Sequence, residues 1–329
     1  MRIFRKLFPF VGIAAFAVAA FLVYRSTRQY GFAGIVEAVR NIPGDRLLLS
    51  ALCAAASYAC LTGFDYLGVR YAGRRLAYGK AALASFVSLS IGHTLGLAPL
   101  GSGAVRARFY SRWGLSAEEI AKVILLSTVT VTVGQTALAG IVLLVEPKPV
   151  ASWVHLDETA VRLIGGLCLA LVALYVGLSA MLRRPLHIRG WSFAMPKPWI
   201  ALCQVAVGTT NFFFLTATLH FVIVSTGPVP FWTTASIYVL ANVAALISHV
   251  PGGLGVIEFV VLAFLPQAST VGALVAFRVI YFIAPLLIGG AVLVATELLD
   301  RRRTGPTPVA GGAAAPAAAA ASRPTLDHA

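Results

Sequence analysis

The chain has 329 residues, of which 59% are hydrophobic and only 12% charged, about half the roughly 25% charge of a typical soluble domain; its mean hydropathy is +0.85. So few charges cannot cover two water-facing domains of about 150 residues each, which excludes an ordinary soluble enzyme. The 26 Lys and Arg against 12 Asp and Glu leave a net charge of +14, and in a membrane chain such an excess marks cytoplasmic loops rather than nucleic-acid binding.

A helix crosses the hydrocarbon layer with about 20 apolar residues. In chain order the predicted full spans are 7–24, 47–66, 120–145, 160–181, 200–224 and 271–296. The first has a basic start (Arg2, Arg5, Lys6) and Ala17-Val18-Ala19, as a signal peptide would, but its length and its continuation through Phe21-Leu22-Val23 favour an N-terminal anchor over residues 1–24. Cys53, Cys60, Cys168 and Cys203 lie in apolar stretches without metal-ligand spacing and read as small core residues.

The loops set the orientation. Loops 70–80 (Arg70, Arg74, Arg75, Lys80), 104–122 (Arg106, Arg108, Arg112, Lys122) and 183–197 (Arg183, Arg184, Arg189, Lys197) are basic and read as cytoplasmic, as do both termini. Loops 146–162 and 225–231 lack that excess and read as external, and 25–46 is external with the weakest support. Two further apolar stretches, 81–103 and 232–266, are interrupted by Pro and Gly. Both flanks of 81–103 are cytoplasmic and both flanks of 232–266 are external, so each is predicted to be re-entrant, from opposite sides.

The halves 47–145 and 200–296 then contain the same three elements in opposite orientation. Their breaks align without gaps: Pro99-Leu100-Gly101-Ser102-Gly103-Ala104-Val105-Arg106 on Pro251-Gly252-Gly253-Leu254-Gly255-Val256-Ile257-Glu258. The shared pattern is P-x-G-x-G-x-x-charge, with the charge reversed. Inverted repeats with helices broken at depth are how secondary transporters build a midplane site, because irregular backbone survives in a bilayer only where protein or a wet cavity surrounds it. Freed amides and helix ends there can hold an anionic phosphate. The competing interpretation is a pair of plain Pro/Gly kinks, and the matched pairing favours a site.

An ionisable residue at depth costs about 2.5–3.5 kcal/mol on insertion scales, so each one retained is a functional candidate. Glu258 has no basic neighbour in sequence. Arg278 lies within the last span on the face of Tyr281 and Phe282, and a structural Glu258–Arg278 pair is an open alternative. Asp65 ends the second span, either as an interfacial helix-end charge or as a site acid. Arg106 and Arg108, with Arg112, either fork onto a lipid phosphate or anchor the cytoplasmic face. His93 and His249 lack a third ligand nearby and read as core histidines rather than metal ligands. Trp113, Trp191, Trp199 and Trp232 suit an interfacial belt. The Ala/Pro-rich basic tail 297–329 reads as disordered and cytoplasmic.

At Asp65, at Leu100-Gly101-Ser102-Gly103-Ala104-Val105-Arg106-Ala107-Arg108-Phe109-Tyr110 with Gly114-Leu115-Ser116, and at Ser248-His249-Val250-Pro251-Gly252-Gly253-Leu254-Gly255-Val256-Ile257-Glu258, the sequence resembles the membrane (flippase) domain of the lysylphosphatidylglycerol synthase or multiple peptide resistance factor family. The resemblance covers roughly 45–296. It implies translocation of an aminoacylated phospholipid, or a related lipid, between leaflets of a bacterial inner membrane. Bifunctional members carry a synthase domain after the membrane part, whereas only 33 residues follow Thr296 here, so aminoacyl transfer is not expected.

The expectation is therefore an all-α polytopic membrane protein with about six full spans, two re-entrant hairpins and a membrane domain over 25–296. Its candidate lipid-contacting residues are Asp65, Pro99, Gly101, Gly103, Arg106, Arg108, His249, Pro251, Gly252, Gly253, Gly255, Glu258, Arg278 and Tyr281. No catalytic residue, metal or cofactor is expected, and the chain has no G-x-x-x-x-G-K-[ST] nucleotide motif. The expected partners are a phospholipid substrate and the membrane, with a separate lipid synthase and a second copy of the chain left open, and no nucleic acid. The alternatives are a membrane glycosyl- or lipid-modifying transferase, for which only Asp65 and Glu258 could supply carboxylates, and a non-transporting partner of a synthase.

Overall fold

A computed structural model describes residues 36–303 apart from 38, 96–97, 183–185, 189–190 and 249. The predicted first span 7–24, His249 and the tail beyond Arg303 lie outside the described residues. The chain is helical as expected. Its helices are α1 (Gly44–Tyr71), α2 (Tyr78–Leu95), α3 (Ala98–Arg112), α4 (Ala117–Val145), α5 (Lys148–Val154), α6 (Glu158–Met181), α7 (Pro198–Ile223), α8 (Phe231–Ser248), α9 (Val256–Phe264), α10 (Ala268–Arg278) and α11 (Ala284–Arg303). The basic loop after α6 adds a small antiparallel hairpin, β1 (Leu186–Ile188) with β2 (Trp191–Phe193), in which Leu186 pairs with Phe193 and Ile188 with Trp191.

Six helical segments are long and apolar enough to cross a membrane: Gly44–Tyr71, Ala117–Val145, Glu158–Met181, Pro198–Thr226, Phe231–Ser248 and Ser269–Thr296. Five coincide with predicted spans. The sixth, α8, is the first limb of the broken stretch 232–266; its second limb, α9, is only 9 residues long, about 14 Å by helical rise and too short to cross.

Local sequence explains the helix ends. Ser116 caps α4 by accepting from the Glu119 amide while the Glu119 carboxylate accepts from the Ser116 amide, a reciprocal capping box. Asp157 caps α6 through the Thr159 amide, and Pro198 opens α7, where its missing N–H costs nothing.

The two long helices α1 and α7 pack along each other, with α4 against both. Small residues permit this. A Cβ on Gly134 of α4 would lie 2.3 Å from the Gly208 carbonyl carbon of α7, so these backbones touch. Nearby, Gln204 of α7 donates to the Leu126 carbonyl and the Thr130 hydroxyl of α4 and accepts from Tyr175 of α6, so this buried amide is satisfied from two neighbouring helices. Outside this layer, α6 leaves Leu163, Leu167, Leu171, Leu174 and Met181 exposed, an apolar surface suited to acyl chains.

Both broken stretches fold as helical hairpins, α2 against α3 and α8 against α9. The last span, Ser269–Thr296, matches the predicted 271–296, and within it a π-turn at Val279–Ile283 lies between α10 and α11. By its contacts the chain divides after Val292. The Leu293–Arg303 end of α11 is a helical stretch of its own, where Thr296 donates to the Leu293 carbonyl.

Candidate functional site

The two hairpins carry the matched motifs, and each motif's charged residue is clamped by an opposite charge from another helix. In the first half Pro99 and Gly101 lie in the opening turn of α3, and Ser102, Arg106 and Tyr110 follow at four-residue intervals on one face. Arg106 reaches Asp65 of α1. Its Nε donates to both carboxylate oxygens at 2.9 and 3.2 Å and its Nη2 to Oδ1 at 2.7 Å, while Nη1 donates to the Ser102 hydroxyl at 3.2 Å. Tyr110 and Ser127 of α4 complete the carboxylate's shell at 2.9 and 3.0 Å.

Asp65 is fully buried and the Arg106 side chain is 4% exposed. A lone buried charge would cost several kcal/mol, and these donors offset that cost. Asp65 is therefore no helix-end charge, because α1 continues to Tyr71. The guanidinium expected to fork onto a phosphate is engaged by Asp65 in this structure. Arg108 lies on the exposed side of α3, and Gly103 is half-buried, with Ile124 of α4 as its neighbour.

In the second half the break is sharper. Gly252, Gly253 and Gly255 all take positive φ (58°, 60° and 77°), a region that L side chains rarely adopt. Pro251–Gly253 forms a short 3₁₀ turn. Gly255 then caps α9, and the Glu258 carboxylate turns back to accept from the Gly255 amide at 2.8 Å. Arg278 of α10 donates to Glu258 through Nε at 2.5 Å and Nη2 at 3.0 Å. The same guanidinium donates to the Gly252 carbonyl at 2.6 Å and the Gly253 carbonyl at 2.9 Å. One side chain thus binds the acid and both carbonyls that the broken helix exposes. The Phe282 ring lies 4.6 Å from the guanidinium carbon, adding a cation–π contact. This clamp is more open than the first, with side-chain exposures of 11% for Arg278 and 18% for Glu258.

Tyr281 belongs to neither clamp. It projects from the π-turn into a neutral hydrogen-bond cluster with Ser57 and Tyr58 of α1 and Asn211 of α7. A second neutral group, Gln135, Asn242 and Tyr238, links α4 to α8. Ser57, Asn211, Ser127 and Tyr110 also build these clusters, although none is among the lipid-contacting residues expected from the sequence. Their one local signal is polarity inside an apolar run, or four-residue spacing from Arg106. Among the described residues no His/Cys/Asp/Glu group could hold a metal ion.

The family model described as lysylphosphatidylglycerol synthase TM region matches residues 12–289. An uncharacterized protein, slr0712, of Synechocystis sp. is 33% identical over 297 residues, covering 89% of this chain and 92% of that one. The inner membrane protein YbhN of Escherichia coli K12 is 30% identical over 248 residues, 73% of this chain and 77% of that one.

Proposed function

Because the chain belongs to the lysylphosphatidylglycerol synthase transmembrane-region family, as a multi-pass membrane protein, we propose that it moves a phospholipid headgroup between leaflets of a bacterial inner membrane. The observation that carries this is the pair of clamps: two hairpins with matched motifs, each closed by an ion pair, one fully and one partly buried, whose members come from different helices. Ion pairs that only stabilise are replaceable by apolar residues at little cost. Two of them set at the breaks of opposed repeats are suited to exchanging partners with a charged substrate. Arg106 and Arg278 would take the phosphate, and Asp65 and Glu258 would take a cationic headgroup where the lipid has one. In this reading 81–103 and 232–266 are re-entrant from opposite faces, both termini are cytoplasmic, and the acyl chains stay in the bilayer along helices such as α6. The homologue named as an inner membrane protein supports the location.

The test is reconstitution in vesicles with headgroup-labelled anionic, zwitterionic and aminoacylated phospholipids. Leaflet exchange of at least one of them above empty vesicles is expected. Exchange equal to empty vesicles for all three overturns the reading.

A further inference from the structure

A π-turn carries one residue more than an α-helical turn, and such turns cluster at functional positions. Here it begins immediately after Arg278, and the Ala284 amide closes it onto the Val279 carbonyl. Two adjacent residues of α1 grip its centre. The Tyr58 hydroxyl donates to the Tyr281 carbonyl at 3.2 Å, and the Ser57 and Tyr281 hydroxyls share a hydrogen bond of 2.9 Å. Ser57 has a single proton and donates it to the Asn211 side-chain oxygen at 2.8 Å, so Tyr281 must be the donor to Ser57. The result is a directed chain, Tyr281 to Ser57 to Asn211, buried at every member.

The consequence for Arg278 is geometric. One residue of α-helix is about 100° of rotation and 1.5 Å of rise. Relaxing the π-turn to α-helical bonding would therefore turn α10 by about 100° and carry the guanidinium off Glu258 and the Gly252 and Gly253 carbonyls. We infer that Ser57 and Tyr58, backed by Asn211, are positioning residues for Arg278: they hold the π-turn open and so set the direction in which Arg278 points.

Tyr58 and Asp65 are seven residues apart, which places them on nearly the same face of α1 about 10 Å apart. The helix that latches Arg278 thus also carries the acid of the first clamp, which gives the two clamps a shared mechanical element. This inference rests on the translocase reading for its purpose, while its geometry can be measured separately.

Along α10 the exposed face is narrow: Val275 is 38% exposed, whereas Ala273, Leu274 and Ala276 are 0%, 2% and 4%. A nitroxide on Val275→Cys, in a chain whose four native cysteines are replaced by Ala, reports rotation through its mobility and its access to oxygen in the lipid. With the latch intact a mobile, oxygen-accessible signal is expected. Ser57→Ala/Tyr58→Phe should convert it to an immobile signal with loss of oxygen access, as should the milder Tyr58→Phe in part, while Ser57→Thr, which keeps the hydroxyl, should not. Arg278→Met with the latch intact should also leave the signal unchanged. An unaltered spectrum in a folded Ser57→Ala/Tyr58→Phe protein, or a shift caused by Arg278→Met alone, overturns the inference. No lipid transport enters this readout, so a rotating but transport-inactive protein would count against the translocase reading alone.

Discussion

Arg106 and Glu258 stand at the same position of the two P-x-G-x-G-x-x-charge motifs, and each is neutralised by a residue outside its own hairpin: Arg106 by Asp65 of the helix before it, Glu258 by Arg278 of the helix after it. The motif pair is therefore charge-swapped and also reversed in which neighbouring helix closes it. Two hairpins of related sequence thereby acquire clamps of different polarity and different exposure.

The first clamp predicts strong non-additivity. Asp65→Leu or Arg106→Leu alone strands a charge in the interior and should destabilise by about 3–5 kcal/mol. The double variant Asp65→Leu/Arg106→Leu should lose clearly less than the sum, since neither charge remains. Unfolding in mixed detergent micelles measures this, and additive losses would show that the pair is not buried as described.

Arg278 is irreplaceable by charge alone. Arg278→Lys keeps the positive charge but cannot serve Glu258 and the Gly252 and Gly253 carbonyls in one plane, as the guanidinium does. It should cost about 1–3 kcal/mol for carbonyls left unpaired, read in the same unfolding assay against Lys80→Arg as a surface control.

The contact between α4 and α7 should tolerate no side chain. Gly134→Ala would place a methyl 2.3 Å from Gly208 and should cost about 1–3 kcal/mol or more. Gly166→Ala on α6 meets nothing within 4 Å and should be neutral or stabilising by up to about 1 kcal/mol. Thermal melting of the two variants beside the wild type decides between them.

At the start of α6 the Thr159 hydrogen bonds hold the Asp157 carboxyl below its ordinary value. A carboxylate depressed in the folded state contributes stability above its unfolded pKa, near 3.9, and loses it as pH falls through the lower folded value. The wild type should therefore lose more melting temperature than Asp157→Ala between pH 5 and pH 3. Equal losses would remove the cap from the account.

How legible these features were depends on their range in sequence. The paired breaks were visible because Pro and Gly punctuate an apolar run wherever they occur, and the Glu258–Arg278 pair was open as an alternative because both are isolated charges in apolar surroundings. The Asp65–Arg106 pair was not visible: its partners are 41 residues apart, and ending the span at 66 put Asp65 at the interface, whereas α1 runs five residues further. Ser57, Asn211 and Tyr281 meet across 154 and 224 residues, with no periodicity to announce it. The three-residue strands of the hairpin after α6 are too short to produce an alternating pattern, and the π-turn adds one residue to a run that otherwise reads as helix throughout.

The central claim is that opposed, charge-clamped helix breaks move a lipid headgroup. The most direct test is the rate of leaflet exchange of a headgroup-labelled phospholipid in vesicles containing either the wild type or Asp65→Asn/Glu258→Gln, with both proteins shown to be folded. The account predicts exchange by the wild type above empty vesicles and a loss of at least about tenfold in the double variant. Wild-type exchange that is unchanged when both clamp acids are neutralised would contradict it.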